Sequence, residues 1–200
     1  MIKVLVVEDQ ALVRGAIASL LSLEDDIEVV AQAENGQVAL NLLNDIDVDF
    51  ILSDIEMPIL SGLELAEIVI ADHQKIDMLI MTTFSKSGYI KRAMALGVKA
   101  FILKESPTEY LVSAIKKVKA GERVIAPELA LMALNDNDPL TNKERKAIKL
   151  AGDGLTTAEI ATALFLSEGT VRNYLSEAIS KLNATNRIDA ARIAKQKGWI

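Results

Sequence analysis

Five short runs rich in β-branched and aliphatic residues alternate with stretches of helical periodicity along the first 120 residues. Strands that alternate with helices in this way are typical of βαβ units, whose strands pair in parallel. The predicted strands are residues 3–8, 27–33, 49–53, 77–82 and 100–103. With five helices beside them they predict an α/β fold of the flavodoxin-like type, a doubly wound five-stranded parallel sheet with helices on both faces.

Local signals predict where several of these helices lie. Apolar residues at positions 12, 13, 16, 17, 20 and 21 form one helical stripe. Ser61 with Glu64, and Ser106 with Glu109, have the spacing of capping boxes, in which a serine and a glutamate satisfy the first backbone N–H groups of a helix. In the second of these helices, Pro107 is predicted to take the first helical position.

The pattern changes after Gly121. Residues 121–137 keep no sustained period and contain an Asn/Asp cluster, so we predict a linker, with a helical turn or more after Pro127. Residues 138–200 carry four helical patterns and no strand signal, which predicts a small all-α domain. The predicted caps of its helices are Thr141 with Glu144, Thr156 with Glu159, Ser167, and Asn186. The predicted domains are therefore 1–120 and 138–200.

Composition excludes several kinds of site. None of the 200 residues is cysteine and only His73 is histidine, which excludes disulfides and thiolate metal sites; a lone histidine cannot anchor a zinc site or a catalytic triad. No run of about 18 apolar residues predicts a membrane span, and the first residues lack the order of a signal peptide. We therefore expect a cytoplasmic protein without membrane insertion.

Charge is unevenly distributed between the two predicted domains. Residues 1–120 hold 11 Lys+Arg against 18 Asp+Glu, whereas residues 138–200 hold 10 against 7. An acidic first part joined to a basic last part indicates different partners, with a polyanion as a candidate for the second.

Asp54 stands at the end of a strand that is predicted to be buried. An unpaired carboxylate there costs on the order of several kcal/mol unless a cation or hydrogen bonds compensate it. Glu8 and Asp9 end the first predicted strand, and the carboxyl ends of neighbouring parallel strands meet where the strand order reverses. Three converging carboxylates repel one another unless a divalent cation lies among them. Mg²⁺ suits such oxygen ligands, and the backbone carbonyl of Glu56 is a further candidate.

Two more predicted strands end in groups suited to phosphoryl transfer. Thr82 closes the fourth strand with a hydroxyl and Lys104 closes the fifth with an ammonium. A carboxylate, a metal, a hydroxyl and a lysine supply an attacking oxygen and the positive groups that stabilise a transferring phosphoryl group. Taken singly, Thr82 is better explained as an ordinary strand residue and Lys104 as a surface charge. Their joint position at strand ends instead predicts that Asp54 becomes an aspartyl phosphate.

These strand-end residues together resemble the receiver domain of two-component response regulators: Glu8, Asp9, Asp54 before IEMPILSG, Thr82 with Thr83, and Lys104. The resemblance covers roughly residues 1–120. It implies that a sensor histidine kinase donates a phosphoryl group to Asp54, and that Thr82 and the aromatic Phe101 form the switch that responds. Many receivers have proline after the lysine, whereas here Glu105 follows it.

The C-terminal domain has the pattern of a helix-turn-helix motif. Residues 156–165 predict a positioning helix and 168–182 a second helix, in which Val171, Leu175, Ile179 and Leu182 share one face. The other face is available for the major groove of double-stranded DNA. The predicted contacts to base edges are Arg172, Asn173 and Ser176, and those to phosphates are Thr157, Lys181 and Arg187.

Residues 140–194 resemble the LuxR-type DNA-binding domain, from the LTxxE opening to the last helix. A receiver joined to such a domain forms the NarL/FixJ class of response regulator. Arg172, Asn173 and Tyr174 stand where that domain usually has lysine, any residue and histidine. The resemblance implies DNA contact at these positions, but the family's base preferences are not carried over to them. The segments VRNY and NRI…KGW most resemble the DesR type of Gram-positive bacteria, linked to membrane-lipid desaturation.

Together these patterns predict a transcription factor that dimerises and binds promoter DNA once Asp54 is phosphorylated. RNA polymerase is a further candidate partner, and genes of membrane lipids or the envelope are candidate targets. Two alternatives stay open. One is an aspartate-nucleophile phosphatase of the haloacid dehalogenase type, although Glu56 stands where that family has an acid/base aspartate. The other is a binding module in which the first domain serves only for dimerisation.

Overall fold

The computed structural model describes residues 1–73, 75–83, 86–134 and 137–200. The described chain forms two compact units, one drawn mainly from residues up to 134 and the other from residues 137 onward. The first unit is an α/β sandwich and the second is all-helical, as predicted.

The first unit contains one parallel sheet of six strands in the order β2-β1-β3-β4-β5-β6. The five predicted strands are confirmed to within one residue at each end. The sixth, β6, has only two residues and was missed, since so short a run shows no periodicity. The strands are β1 (Ile2–Val7), β2 (Ile27–Ala33), β3 (Phe50–Asp54), β4 (Asp77–Thr82), β5 (Ala100–Leu103) and β6 (Val124–Ile125).

Among the residues that the structure describes, six helices accompany the sheet. They are α1 (Ala11–Leu21), α2 (Gly36–Leu42), α3 (Gly62–Asp72), α4 (Ser87–Leu96), α5 (Thr108–Lys119) and α6 (Pro127–Leu134). The last of these lies in the predicted linker and begins at the proline from which a helical turn was expected. None of the helices in the described part of the chain has the length and apolar character that crossing a membrane requires.

The core of the first unit explains why its strands read as nearly continuous apolar runs. Residues at every second position of β1, β3 and β4 pack against the inner faces of α1 and α5; they include Val4, Val6, Phe50, Leu52, Leu79 and Met81. The intervening residues, such as Leu5, Ile51 and Ile80, are equally buried on the opposite face. A parallel sheet that is covered on both faces requires apolar side chains at both sets of positions.

The capping predictions had different outcomes. The box of Ser61 and Glu64 is confirmed at the start of α3. The box of Ser106 and Glu109 is wrong, because Pro107 itself is the N-cap of α5 and no side chain caps this helix. With the helix starting at Thr108, Glu109 occupies the second helical position, whereas the reciprocal bond of a capping box comes from the third.

The second unit packs four helices around a small apolar core. They are α7 (Asn142–Gly152), α8 (Thr157–Leu164), α9 (Glu168–Lys181) and α10 (Arg187–Lys197). All four predicted caps are confirmed, each with a side-chain oxygen that accepts from a backbone N–H group of the first turn. The buried stripe of α9 contains Val171, Leu175, Ala178 and, just after the helix, Leu182.

Candidate functional site

Three carboxylates converge at the carboxyl ends of β1 and β3. Glu8, Asp9 and Asp54 each offer one oxygen, and these three oxygens lie within 4.8 Å of one another. Since β1 and β3 are neighbours at the point where the strand order reverses, the topology alone brings the two strand ends together. The structure thus groups the three residues that the sequence nominated as an acidic cluster.

Lys104 supplies positive charge to this cluster. Its ammonium lies 2.7 Å from Glu8 Oε2 and 2.9 Å from Asp54 Oδ2. The backbone holds it there, because the N–H group of Lys104 donates to the carbonyl of Thr82 at 2.8 Å, just beyond the paired part of β4 and β5. Glu8 is 0 % exposed, so its buried carboxylate depends on this ion pair for compensation of its charge.

One ammonium does not compensate the cluster fully. Burial raises the pKa of Asp54, and likewise that of Glu8, although Lys104 favours the charged form of both. Burial also acts to lower the pKa of Lys104, but its contacts with the two carboxylates outweigh burial and raise it. The lysine is therefore firmly charged, while the carboxylates still favour a further cation.

The donor set fits a hard divalent cation. All three side chains offer oxygen, and one oxygen of each lies within 4.8 Å of the other two. These are the properties that Mg²⁺ requires of a protein site. Glu56 follows directly on the loop after β3 with its side chain exposed. The role of its carbonyl as a ligand stays a prediction.

The loop after Asp54 is folded tightly against it. Oδ1 of Asp54 accepts from the N–H group of Ile55 at 2.7 Å, and its carbonyl accepts from the hydroxyl of Ser53 at 2.8 Å. A Cβ atom on Gly62 would lie 1.9 Å from that same carbonyl oxygen. Only glycine allows this approach, so the start of α3 helps to hold the orientation of Asp54.

The two predicted switch residues lie on the next strands. Thr82 is buried at the end of β4, and its hydroxyl donates to the carbonyl of Thr83 at 2.9 Å rather than to Asp54. Phe101 is fully buried on β5, where it pairs with Ile80 and with Ile125 of β6. Their switching role stays a prediction.

Arg14 was not singled out from the sequence, yet it contacts the same site. Its Nη1 donates to the carbonyl of Glu8 at 2.5 Å and lies 3.4 Å from the carbonyl of Asp9. The signal that could have found it is its position: an arginine one turn into a helix can reach back to the carbonyls of the strand end that precedes the helix.

The helix-turn-helix geometry is present in the second unit. Helices α8 and α9 are joined at Phe165, whose φ of 55° ends α8 in the left-handed conformation. On α9 the side chains of Arg172, Asn173 and Ser176 are exposed opposite the buried stripe, as predicted. Tyr174 is only partly exposed and packs against the core.

The three predicted phosphate contacts differ in their surroundings. Lys181 donates to both oxygens of the Glu144 carboxylate at 2.8 Å, so two of its three N–H groups are engaged. Thr157 and Arg187 open α8 and α10 and are partly exposed.

Comparisons with known proteins agree with both units. Residues 4–116 match the family model of the response regulator receiver domain, and residues 138–194 match that of the bacterial regulatory proteins of the luxR family. The chain belongs to the two-component response regulators. With a receiver followed by a LuxR-type domain it is of the NarL/FixJ class, a class of DNA-binding transcriptional regulators rather than turnover enzymes, and the phosphatase alternative is set aside.

Relatives extend the likeness over the whole chain. It is 44 % identical over 200 residues to two proteins of Bacillus subtilis (strain 168), the transcriptional regulatory protein DesR and the uncharacterized transcriptional regulatory protein YvfU, with 100 % of both chains covered in each case. The crystal structure of the response regulator ChrA of a heme-sensing two-component system is 30 % identical with a TM-score of 0.57, and the match covers 100 % of this chain and 98 % of that one.

Proposed function

We propose that a sensor histidine kinase phosphorylates Asp54 in the presence of Mg²⁺, and that this switches the regulator into a dimer that binds promoter DNA. The observation that carries the proposal is the convergence at Asp54, whose Oδ2 lies 2.9 Å from the Lys104 ammonium. One carboxylate oxygen of Asp54 also lies within 4.8 Å of one oxygen each of Glu8 and Asp9.

The residues around Asp54 have different roles when it accepts a phosphoryl group. The Ile55 N–H group holds Oδ1, which orients the carboxylate so that Oδ2 is the oxygen that attacks phosphorus. As the new P–O bond forms, the bond from phosphorus to the histidine nitrogen of the kinase breaks. Lys104 already contacts that oxygen and is placed to neutralise charge on the incoming group. Mg²⁺, when bound, adds positive charge that offsets the carboxylates and the phosphoryl oxygens. Glu8 and Asp9 would serve as its ligands, together with Asp54 and the carbonyl of Glu56.

The response to phosphorylation begins at Thr82. A phosphoryl group adds a dianion with strong acceptor oxygens. The Thr82 hydroxyl, which donates to Thr83 in this structure, exchanges that weak local bond for a charge-assisted one to the phosphoryl group. Phe101, on the neighbouring strand, repacks as Thr82 moves. This local change biases a surface of the receiver toward association with a second copy.

The dimer then presents two recognition helices to DNA, spaced about one helical turn apart. Exposed Arg172, Asn173 and Ser176 read base edges, with Tyr174 at the margin of the contact. Thr157 and Arg187 bind phosphates. Lys181 also binds a phosphate, through the one N–H group that does not donate to Glu144. Because promoter DNA and RNA polymerase are in the cytoplasm, we expect the protein to act there.

The proposal for the target genes rests on the resemblance of the segments VRNY and NRI…KGW to the DesR type alone. Because the identity to DesR equals that to YvfU, it does not select one relative as the guide to targets. Genes of membrane lipids or the envelope are our proposal, and sequencing of the DNA fragments that the phosphorylated protein retains would test it.

Intact mass spectrometry after treatment with acetyl phosphate tests the phosphoacceptor. We expect the gain of one phosphoryl group in the wild type with Mg²⁺, and no gain in Asp54→Asn or after chelation of the metal. Asp25→Asn is the matched control, because Asp25 is an exposed aspartate of the same unit outside the cluster. Undiminished labelling of Asp54→Asn would refute the assignment, and a wild type that is never labelled would favour the phosphorylation-independent module.

A further inference from the structure

Arg14 reaches from α1 back to the main chain that carries two of the acidic residues. Its Nη1 donates to the carbonyl of Glu8 at 2.5 Å, with the carbonyl of Asp9 at 3.4 Å. The contact is independent of helix capping: Gln10 is the N-cap of α1, and its side chain makes no cap hydrogen bond. The guanidinium therefore stabilises the main chain at the end of β1 and does not cap the start of α1.

The main chain at Glu8 and Asp9 directs two consecutive side chains to the same site. Successive side chains of an extended strand point to opposite faces. Glu8 and Asp9 are consecutive, yet one oxygen of each lies within 4.8 Å of the other and of Asp54. The backbone must therefore leave strand geometry between them. The N–H group of Glu8 still donates to the carbonyl of Ala33 at 3.0 Å, so the departure begins at the Glu8 carbonyl, which Arg14 holds.

We propose that Arg14 is a positioning residue for the metal site: by binding the carbonyls of Glu8 and Asp9 it holds the turn that directs both carboxylates toward one cation. Arg14 is not itself a ligand, since a guanidinium has only N–H donors. Groups that orient metal ligands in this way typically contribute about 10-fold or more to metal affinity. The inference rests on the proposed Mg²⁺ site and adds the residue that shapes it.

Charge and position predict opposite effects of removing Arg14. A positive charge near the site repels Mg²⁺, so its loss alone would tighten binding of the metal. Loss of a positioning contact leaves the turn free to relax under the mutual repulsion of the carboxylates, which weakens binding. The sign of the change in Mg²⁺ affinity therefore separates the two roles.

Isothermal titration of the full-length protein with MgCl₂ measures this affinity without any phosphodonor. We expect the Kd of Arg14→Ala to rise about 10-fold relative to the wild type, and Arg14→Lys, which keeps N–H donors, to recover part of the loss. Arg123→Ala is the matched control, because it removes the same charge from an exposed arginine of the same unit and should leave the Kd within about twofold. Thermal unfolding identifies a variant that fails to fold. If Arg14→Ala does not fold, the Kd of Arg14→Lys is compared with that of the wild type instead.

A second readout uses the rate of phosphorylation by acetyl phosphate as a function of Mg²⁺ concentration. If Arg14 positions metal ligands, the alanine variant requires more Mg²⁺ for half-maximal rate yet reaches the rate of the wild type at saturation. A lower plateau with an unchanged requirement for Mg²⁺ would overturn the inference.

The outcomes separate this inference from the function on which it rests. Equal or tighter Mg²⁺ binding by Arg14→Ala overturns the positioning role, as does a lysine variant no better than the alanine variant. Absence of Mg²⁺ binding by the wild type contradicts the proposed metal site itself.

Discussion

The ammonium of Lys181, the last residue of α9, lies 2.8 Å from both carboxylate oxygens of Glu144 in the first turn of α7. The same carboxylate accepts from the N–H group of Thr141 at 2.8 Å and completes a capping box. One nearly buried glutamate therefore ties the start of α7, the first helix of the second unit, to the end of α9. This fixes where α9 lies relative to the rest of the unit.

The Glu144–Lys181 pair is expected to stabilise the second unit. Glu144→Gln should lower its free energy of unfolding by about 1–3 kcal/mol, because a partly buried ammonium–carboxylate contact is lost and Lys181 keeps only a neutral partner. Fluorescence of Trp199 reports on this unit, since it is the chain's one tryptophan and lies in the unit's core. Glu168→Gln, at the exposed pair with Arg172, is the control and should cost less than about 0.5 kcal/mol. Equal losses in both variants would contradict the expectation.

The same pair predicts a dependence of stability on pH. Burial acts to raise the pKa of Glu144, but hydrogen bonds from Lys181 and Thr141 outweigh it and lower the pKa below the ordinary value of 4.5. The stabilisation is therefore fully present above pH 4.5 and is lost as pH falls through the pKa of the folded state. The difference in Tm between the wild type and Glu144→Gln, followed by Trp199 fluorescence, should shrink between pH 5 and pH 3. A constant difference over that range would speak against the pair.

Thr82 is expected to matter for the response and not for the acceptance of phosphate. Thr82→Ala keeps Asp54, Lys104 and the acidic cluster, so its labelling by acetyl phosphate should match that of the wild type. Its phosphorylated form should dimerise poorly in sedimentation velocity, because no hydroxyl remains at the end of β4 to bind the phosphoryl group. Thr83→Ala, the exposed neighbour, is the control and should dimerise normally. Full dimerisation of Thr82→Ala would remove Thr82 from the mechanism.

Base reading and phosphate binding should separate at the DNA. Arg172→Ala is expected to cost about 1–3 kcal/mol on a specific duplex and to flatten the preference at one base pair per half-site. Arg187→Ala should weaken specific and scrambled duplexes alike and reduce the salt slope by about one. Arg187 suits this comparison better than Lys181, because no ion pair engages it among the described residues. Relaxed sequence preference in Arg187→Ala with a uniform loss in Arg172→Ala would show that the recognition helix is placed wrongly.

Local sequence determined much of this molecule, and the reason is that the deciding interactions span few residues. The alternation of β-branched runs with helical stripes predicted the sheet, and the boxes at Ser61, Thr141 and Thr156 were legible because each is closed by a residue three positions on. The motifs at Glu8 and Asp54 were sufficient to nominate the phosphorylation site. Where local reasoning failed, as at Ser106, a neighbouring proline had shifted the start of the helix by one residue.

The rest was decided by tertiary structure, since it depends on groups that meet only after folding. Parallel strands β1, β3 and β5 bring Lys104 to within 3 Å of residues 96 and 50 positions earlier, and burial at that junction raises the pKa of both Asp54 and Glu8. The bond of Lys181 to Glu144 crosses 37 residues, and it changed a predicted phosphate contact into a group that also holds the unit together. The hydrogen bond from Arg14 to the Glu8 carbonyl also depends on tertiary structure. The arginine was visible in the sequence, but the turn that it contacts exists only because β1 and α1 fix the two ends of that turn.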